Sequence, residues 1–233
     1  MTEAAVERRI VRVPPTVAFG SKFGKYTPEE EKDVRKVDVK EDEVLRQLKA
    51  AWRNYKRNKI HYEQKIYFQT YGYEDALRAV KGISYSAADV ERFSLALVEF
   101  QDEEDFSEKA GFFLSALINN GKDTDYVIHT RHLTKEIDCL GFENTKNITV
   151  EGDVGCRIGY FMGGGAITVN GDTTNWTGSC MRGGMILVSG DACNWVGDEM
   201  KGGKIYIKGD YLNLGRDIEG GKIYHKGVLI VDK

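Results

Sequence analysis

The chain has 233 residues, of which 41% are hydrophobic and 30% are charged, and these proportions are typical of a globular protein. Its formal net charge of −3 does not indicate a general nucleic-acid binder or an acidic tail. No apolar run approaches the ~20 residues of a membrane span and the N-terminus lacks the apolar core of a signal peptide, so we predict a cytoplasmic protein that contacts neither membrane nor nucleic acid.

The first 146 residues predict an extended arm followed by a mainly helical domain. Residues 1–26 contain Pro14-Pro15 and are predicted to be extended or disordered. The segment Thr27-Pro28-Glu29-Glu30 has the pattern of a capping box with proline at the first helical position, which predicts that the helical domain begins there. Three further helices are predicted, over residues 41–59, 87–101 (after Ser86) and 105–120.

The helices predicted over residues 87–101 and 105–120 carry more apolar residues than a solvent-facing helix needs, so we expect them to pack on each other or on the open end of the β-rich domain that follows. Residues 27–146 are therefore predicted to be a capping domain. The stretch from Arg46 to Tyr62 is basic, and aromatic residues stand among its charges. A solvated face with the aromatics packed inward is the preferred interpretation, and contact with RNA is the alternative. The residues concerned are Arg46, Lys49, Arg53, Lys56, Arg57, Lys59, Trp52, Tyr55 and Tyr62.

From Gly152 onwards the sequence repeats every 19 residues. The units are GDVGCRIGYFMGGGAITVN, GDTTNWTGSCMRGGMILVS, GDACNWVGDEMKGGKIYIK and the shorter GDYLNLGRDIEGGKIYHK. Each unit opens with Gly-Asp and contains a single glycine, a glycine pair and an alternating strand. The single glycines are Gly159, Gly178, Gly197 and Gly215, and the pairs begin at Gly164, Gly183, Gly202 and Gly220.

A period of this length is typical of a solenoid, in which each unit buries its apolar face against its neighbours. Alternation with period two predicts a strand with one buried face, and no unit contains a helix-length segment. Glycines at fixed offsets favour tight corners between the strands. We therefore predict an α+β protein whose residues 147–233 form a right-handed parallel β-helix, preceded by the helical capping domain over residues 27–146.

Stacking of the coils turns equivalent positions into columns along the solenoid. The predicted inner columns are Met162, Met181, Met200 and Ile218, and Ile167, Ile186, Ile205 and Ile223. Asn175, Asn194 and Asn213 are predicted to form a hydrogen-bonded ladder. Trp176 and Trp195 share another column. The exceptions fall at the ends: Cys156 and Arg157 replace Asn and Trp in the first unit, and His225 interrupts the apolar strand in the last.

No set of residues predicts catalysis, a cofactor or a metal site. The aspartates that open the units, Asp153, Asp172, Asp191 and Asp210, are interpreted as corner residues, with a cation site as the alternative. His129 and His132 form H-x-x-H without the glutamate and spacing of a zinc protease. The four cysteines form no C-x-x-C pair, which is typical of reduced thiols. Nucleophile-elbow and phosphate-loop motifs are absent from the sequence.

The units GDTTNWTGSCMRGGMILVSG and GDACNWVGDEMKGGKIYIKG resemble the GXGXG repeat family, and the match covers residues 148–232. The family includes the C-terminal domain of the glutamate synthase large subunit and the repeat-containing subunit of formylmethanofuran dehydrogenase, whose Gly-Asp opening is the more similar. The resemblance implies a β-helix without catalytic residues of its own that supports the position of catalytic domains. The glutaminase nucleophile, the flavin barrel and the iron–sulfur cysteines of glutamate synthase have no counterpart in this sequence.

Three hypotheses about function remain open. The first is a non-catalytic scaffold or interaction subunit of an oxidoreductase or amidotransferase assembly, with the repeat-containing subunit of formylmethanofuran dehydrogenase as the alternative branch. Its binding surface is expected along the flat face of the β-helix and at its C-terminal end. The second is a self-contained enzyme or small-ligand protein with a site at the domain junction, where Cys156, Arg157, His129 and His132 are close in sequence. The third is a homo-oligomer that self-associates through its end coils.

Overall fold

The computed structural model of the protein describes residues 41–55 and 68–233. The arm predicted over residues 1–26 and the capping box at Thr27 lie outside the described residues, as do the last residues of the helix predicted over 41–59. The described helices are α1 (Glu43–Asn54), α2 (Phe68–Val80), α3 (Ala87–Ala96), which continues into a 3-10 turn over Leu97–Glu99, and α4 (Phe106–Asn120).

The start of α3 is the one predicted from the sequence. The Ser86 side chain accepts a hydrogen bond from the backbone N–H of Asp89, and the Asp89 carboxylate accepts one from the backbone N–H of Ser86, which together form a capping box. Helix α2 was not predicted. Its Thr70 and Gly72 have low helix propensity, so the local sequence gives little helical signal.

The helices surround an aromatic cluster centred on Trp52, which is fully buried. Its ring lies 5.4 Å from Phe113 of α4 and 5.3 Å from Phe100, measured between ring centroids. Tyr55, the residue that follows α1, is buried as well, so Trp52 and Tyr55 pack inward as the preferred interpretation predicted. Tyr62 lies outside the described residues. The apolar residues of α4 are also buried, and so is Phe93 of α3, whereas Leu95 is partly buried and Val98, in the 3-10 turn, is 43% exposed.

The C-terminal region is a parallel β-solenoid, as the repeat predicted. Its strands form one sheet in chain order; the first six are parallel and are joined by about five coils. The strands are β1 (Asp125–His129), β2 (Asn147–Glu151), β3 (Ala166–Val169), β4 (Met185–Val188), β5 (Lys201–Ile207), β6 (Gly220–His225) and β7 (Val228–Asp232). No helix in the described part of the chain is long and apolar enough to cross a bilayer.

The solenoid begins one coil earlier than residue 147, where the sequence placed the domain boundary. Strand β1 pairs in parallel with β2, and its Tyr126 and Ile128 are buried in line with the strands that follow. The coil between β1 and β2 lacks the Gly-Asp opening and the glycine pair. Asn144 occupies the inner methionine position and satisfies its amide against the backbone of Lys146, so the repeat pattern did not reveal this coil.

Columns of equivalent aliphatic side chains fill the interior. The isoleucine column and three members of the methionine column are fully buried, which confirms the predicted inner stripes. Ile218, the last member of the methionine column, is partly buried. The fully buried members are Ile167, Ile186, Ile205, Ile223, Met162, Met181 and Met200.

Glycine is required where the isoleucine column passes the corner. At Gly178 the backbone φ is +70°, and a Cβ atom there would lie 2.5 Å from Cδ1 of Ile205. The same approach recurs in neighbouring coils at Gly141, Gly159 and Gly197. Gly215, which aligns with them in sequence, instead approaches the backbone of Asp198 in its shorter unit. The single glycines therefore let the corner turn inward against a bulky side chain.

The parallel ladder ends at β6. A turn at Lys226 and Gly227, both in the left-handed region, reverses the chain, and β7 pairs antiparallel with β6. His225, which interrupts the apolar column, is partly buried and its Nε2 lies 3.0 Å from the carbonyl oxygen of Gly209. Among the described residues no further coil stacks on β6, so His225 marks the end of the aliphatic interior, as the sequence predicted.

Candidate functional site

The repeated aspartates form a backbone-capping ladder. The Asp153 carboxylate accepts a hydrogen bond from the backbone N–H of Asp172 at 2.8 Å, Asp172 accepts from Asp191 at 2.8 Å, and Asp191 accepts from Asp210 at 2.7 Å. Each carboxylate thus joins one coil to the next and satisfies a corner amide. Within the described residues no group of three or more His, Cys, Asp or Glu could hold a metal ion.

The asparagine column forms the predicted ladder. The Asn194 side-chain amide donates to the Asn175 amide oxygen at 3.0 Å, and Asn213 donates to Asn194 at 2.7 Å. The Asn213 oxygen also accepts from the backbone N–H of Trp195 at 2.9 Å. The repeated polar side chains of the corners are therefore engaged in holding the coils together.

The two histidines of the proposed junction site pack against α3. His129 Nε2 lies 2.9 Å from a carboxylate oxygen of Glu91, and the His129 backbone N–H donates to the Ser94 hydroxyl. Burial lowers the pKa of His132, although backbone hydrogen bonds from the end of α3 oppose the shift. These contacts place both histidines on the seam between α3 and β1.

Cys156 and Arg157 lie instead at a corner of the solenoid. The backbone N–H of Cys156 donates to Asp138 at 2.8 Å, and burial, followed by the charge of Asp138, raises the pKa of the Cys156 thiol to about 11. The Arg157 guanidinium lies 5.0 Å from the centroid of the Trp176 ring. The described contacts bring Cys156 next to Arg157 but connect neither of them with the two histidines.

We expect Cys156 to be alkylated slowly at neutral pH, because only the thiolate is nucleophilic and burial keeps this thiol protonated. Its rate of reaction with iodoacetamide should keep rising with pH until about 11, whereas the rate for glutathione levels off above a thiol pKa of about 8.5. Site-resolved mass spectrometry measures both rates, and circular dichroism checks folding at each pH. A plateau for Cys156 at the pH where glutathione levels off would contradict the burial.

Arg157 lines a groove of about 440 Å³ that runs across the first three repeat units. Five of its lining residues are non-glycine residues with left-handed backbone, and they belong to two columns. One column contains Arg157 and Trp176, at φ of 58° and 61°, and the other contains Phe161, Cys180 and Glu199, at φ of 57°, 53° and 52°. Such backbone is uncommon for residues other than glycine. Its recurrence at equivalent corners indicates that the geometry of the repeat imposes it. Both columns contribute side chains to the lining of this groove.

Two arginine–aromatic pairs form the rims of this groove. Arg157 lies over Trp176, and Arg182 lies over the Phe161 ring at 4.9 Å. Phe161 is in turn packed against Tyr160, with 4.2 Å between the ring centroids. Stacking on an aromatic face restrains each guanidinium and leaves the N–H groups at its edge available.

The floor of the groove carries protonated donors. The Cys180 thiol donates to a Glu199 carboxylate oxygen at 3.5 Å. Burial is the main cause that raises the pKa of both Cys180 and Tyr160, so the thiol and the phenol are neutral at physiological pH. A buried, carboxylate-paired thiol is a poor nucleophile, and the floor is suited to binding rather than to covalent chemistry.

Sequence reasoning found Arg157 and Trp176 but missed the opposite rim. Arg182 occupies a column in which Gly163 and Lys201 precede and follow it, so it does not recur. Phe161 aligns with Cys180 and Glu199, which share a backbone conformation but no chemistry. The signal that could have found this groove is the set of exceptions to the repeat, since stacking alone does not require them.

A second candidate surface is the outer face of the sheet, where outward-facing residues form a row in register. Its members are Thr149, Thr168, Leu187, Tyr206, Tyr224 and Leu229. The row is polar at the threonines and becomes apolar and aromatic over the last four strands. Tyr206 and Tyr224 stack with 4.6 Å between ring centroids and 7° between ring planes, and Leu229 is 42% exposed. We call Leu187, Tyr206, Tyr224 and Leu229 the outer row.

Comparison with known proteins does not assign the chain to a family, since no family model, curated protein or solved structure matches it.

Proposed function

We propose that the protein is a non-catalytic scaffold subunit of the GXGXG repeat type, which binds a partner protein through the outer row. The observation that carries the proposal is the continuous apolar and aromatic character of Leu187, Tyr206, Tyr224 and Leu229 on the outward face of the sheet. Parallel sheets are normally covered on both faces, and here the aliphatic columns cover only the inner one.

The chemistry of the outer row is that of a protein interface. Tyrosine is enriched in interfaces because its ring offers a large apolar area and its hydroxyl retains a hydrogen-bonding group. The stacked rings of Tyr206 and Tyr224 restrain each other, so little side-chain freedom remains to be lost on binding. Lys204 and Lys222 flank the row in register and supply a polar rim.

The use of polar side chains within the solenoid also supports a scaffold role. The side chains of the aspartate and asparagine ladders form hydrogen bonds that join neighbouring coils. The thiols of Cys156 and Cys180 are kept protonated by burial. The resemblance of the repeat units to GXGXG domains favours an oxidoreductase or amidotransferase assembly as the setting.

The test is affinity purification of the tagged full-length chain from its native host after mild cross-linking, with partners identified by mass spectrometry. We expect a protein of an oxidoreductase or amidotransferase assembly, cross-linked near the outer row. The variant Tyr206→Ser/Tyr224→Ser should lower recovery of that protein at least about tenfold, because buried aromatic anchors dominate interface energies. The matched control Thr149→Ser/Thr168→Ser changes the same face at its polar end and should leave recovery unchanged.

Equal recovery with both variants would show that the outer row is not the docking surface. A purified chain with no specific partner under these conditions would contradict the scaffold function itself.

A further inference from the structure

We propose that the groove between Arg157 and Arg182 is a binding site for a small molecule that carries a carboxylate or phosphate group. This site is separate from the outer row and does not depend on the scaffold function.

The first argument is the state of the two guanidinium groups. Arg182 is exposed, and its guanidinium lies over the ring of Phe161, with no side-chain hydrogen bond to any other described residue. Arg157 contacts the ring of Trp176 and, at 3.9 Å, the sulfur of Cys156. Neither forms an ion pair with a carboxylate in the described part of the chain. A guanidinium has five N–H donors in a planar fork that matches carboxylate and phosphate oxygens, and here those donors are left for a ligand.

The second argument is preorganisation. Each guanidinium lies over an aromatic ring, with 5.0 Å from the guanidinium carbon to the ring centroid for Arg157 and 4.9 Å for Arg182. Arginine loses considerable side-chain freedom when it binds a ligand, and stacking on a ring removes part of that freedom beforehand. The two cations therefore face one groove in restrained positions, as a two-point anion site requires.

The third argument is the balance of charge inside the groove. Three cations and two carboxylates line the groove, so its lining is positive overall. Each carboxylate also accepts a hydrogen bond from a neutral donor: Glu199 from the Cys180 thiol, and Asp198 from the backbone N–H of Arg216 at 2.7 Å. Lys201 is the third of these cations, and its ammonium lies 3.7 Å from a carboxylate oxygen of Glu219. The Tyr160 hydroxyl and the buried Ser179 hydroxyl supply neutral polar groups along the floor. The volume of about 440 Å³ is within the range of small-molecule sites.

The solenoid contains its own matched control. Arg216, which comes from the following coil, lies over Trp195 at 4.9 Å, nearly the distance of Arg157 from Trp176, but it does not line the groove. A difference between substitutions of Arg157 and Arg216 therefore isolates the groove from the general effect of removing a stacked surface arginine.

The experiment is isothermal titration calorimetry of the full chain with inorganic phosphate and with succinate, at constant ionic strength adjusted with sodium chloride. Tryptophan fluorescence provides a second readout. We expect saturable binding of at least one probe, and the tighter probe identifies phosphate or carboxylate as the recognised group. Arg157→Gln and Arg182→Gln should each weaken binding at least about tenfold, since each removes charge-assisted hydrogen bonds. Arg216→Gln should leave the affinity within about twofold of the parent.

Trp176 should report the binding event because it lies under Arg157. The fluorescence change should survive Trp195→Phe and be lost in Trp176→Phe. The proposal is overturned if neither probe shows saturable binding, or if Arg216→Gln weakens binding as much as the two groove substitutions. Circular dichroism of each variant excludes loss of fold as the cause.

Discussion

Replacing Gly111 with alanine is expected to destabilise the protein by about 3 kcal/mol or more. A Cβ atom at this position would lie 1.7 Å from the carbonyl oxygen of Asp138 and 2.8 Å from its carbonyl carbon. Both are backbone atoms, so no side chain can rotate away to relieve the overlap. Alanine would favour the helix by about 1 kcal/mol over glycine, but the overlap outweighs that gain. Urea unfolding followed by circular dichroism measures the change.

The effect is expected to be large because Gly111 is where α4 meets the first coil. One turn later, the Ser115 hydroxyl accepts hydrogen bonds from the backbone N–H groups of Gly141, at 2.9 Å, and Phe142, at 3.2 Å. Displacing α4 would lengthen these bonds and leave the buried amides unsatisfied. Gly164→Ala is the matched control, since no atom lies within 4 Å of its Cβ position. Equal unfolding midpoints for the two variants would show that α4 does not contact Asp138 as described.

The solenoid could be predicted from the sequence wherever one residue type recurs at the same position of successive coils. A column of four isoleucines can be identified because burial imposes the same requirement on every coil. The first coil escaped detection because Asn144 replaces methionine and satisfies its own amide locally, so burial there does not require an apolar residue. Helix α2 escaped because its stability comes from packing against α4 rather than from local propensity, as the hydrogen bond from Asn119 to the Tyr73 hydroxyl illustrates.

The candidate sites were less predictable than the fold. His129, His132, Cys156 and Arg157 were grouped because they are near in sequence. The histidines contact α3, whereas Cys156 and Arg157 lie at the next corner of the solenoid. The groove joins residues 157 and 161 of the first unit with residues 176 and 182 of the second. These residues come together because the coils stack and because the corners have left-handed backbone. Stacking and corner geometry do not determine which positions depart from the repeat, so the groove could not be predicted from them.

Replacing Ile186 with alanine is expected to destabilise the protein by about 2–5 kcal/mol. Ile186 is fully buried in the middle of the isoleucine column, between Ile167 and Ile205, and its Cδ1 lies against the corner at Gly159. Alanine would leave a cavity that the coils cannot close, because the backbone hydrogen bonds of the parallel ladder fix their spacing. For a domain of this size the melting temperature should fall by about 4–20 °C in a thermal unfolding scan.

Met185, the residue before Ile186 in β4, provides a control that tests the effect of burial separately from the effect of substituting a residue in this strand. Met185 is 37% exposed and belongs to the same strand, so Met185→Ala should change stability by no more than about 0.5 kcal/mol. Ile186→Val removes a single methyl group and should cost about 0.5–1.5 kcal/mol, between the other two variants. This order follows only if the inner column, rather than the strand ladder alone, holds the solenoid together. Equal costs for Met185→Ala and Ile186→Ala would mean that residues 185 and 186 are not on opposite faces of β4.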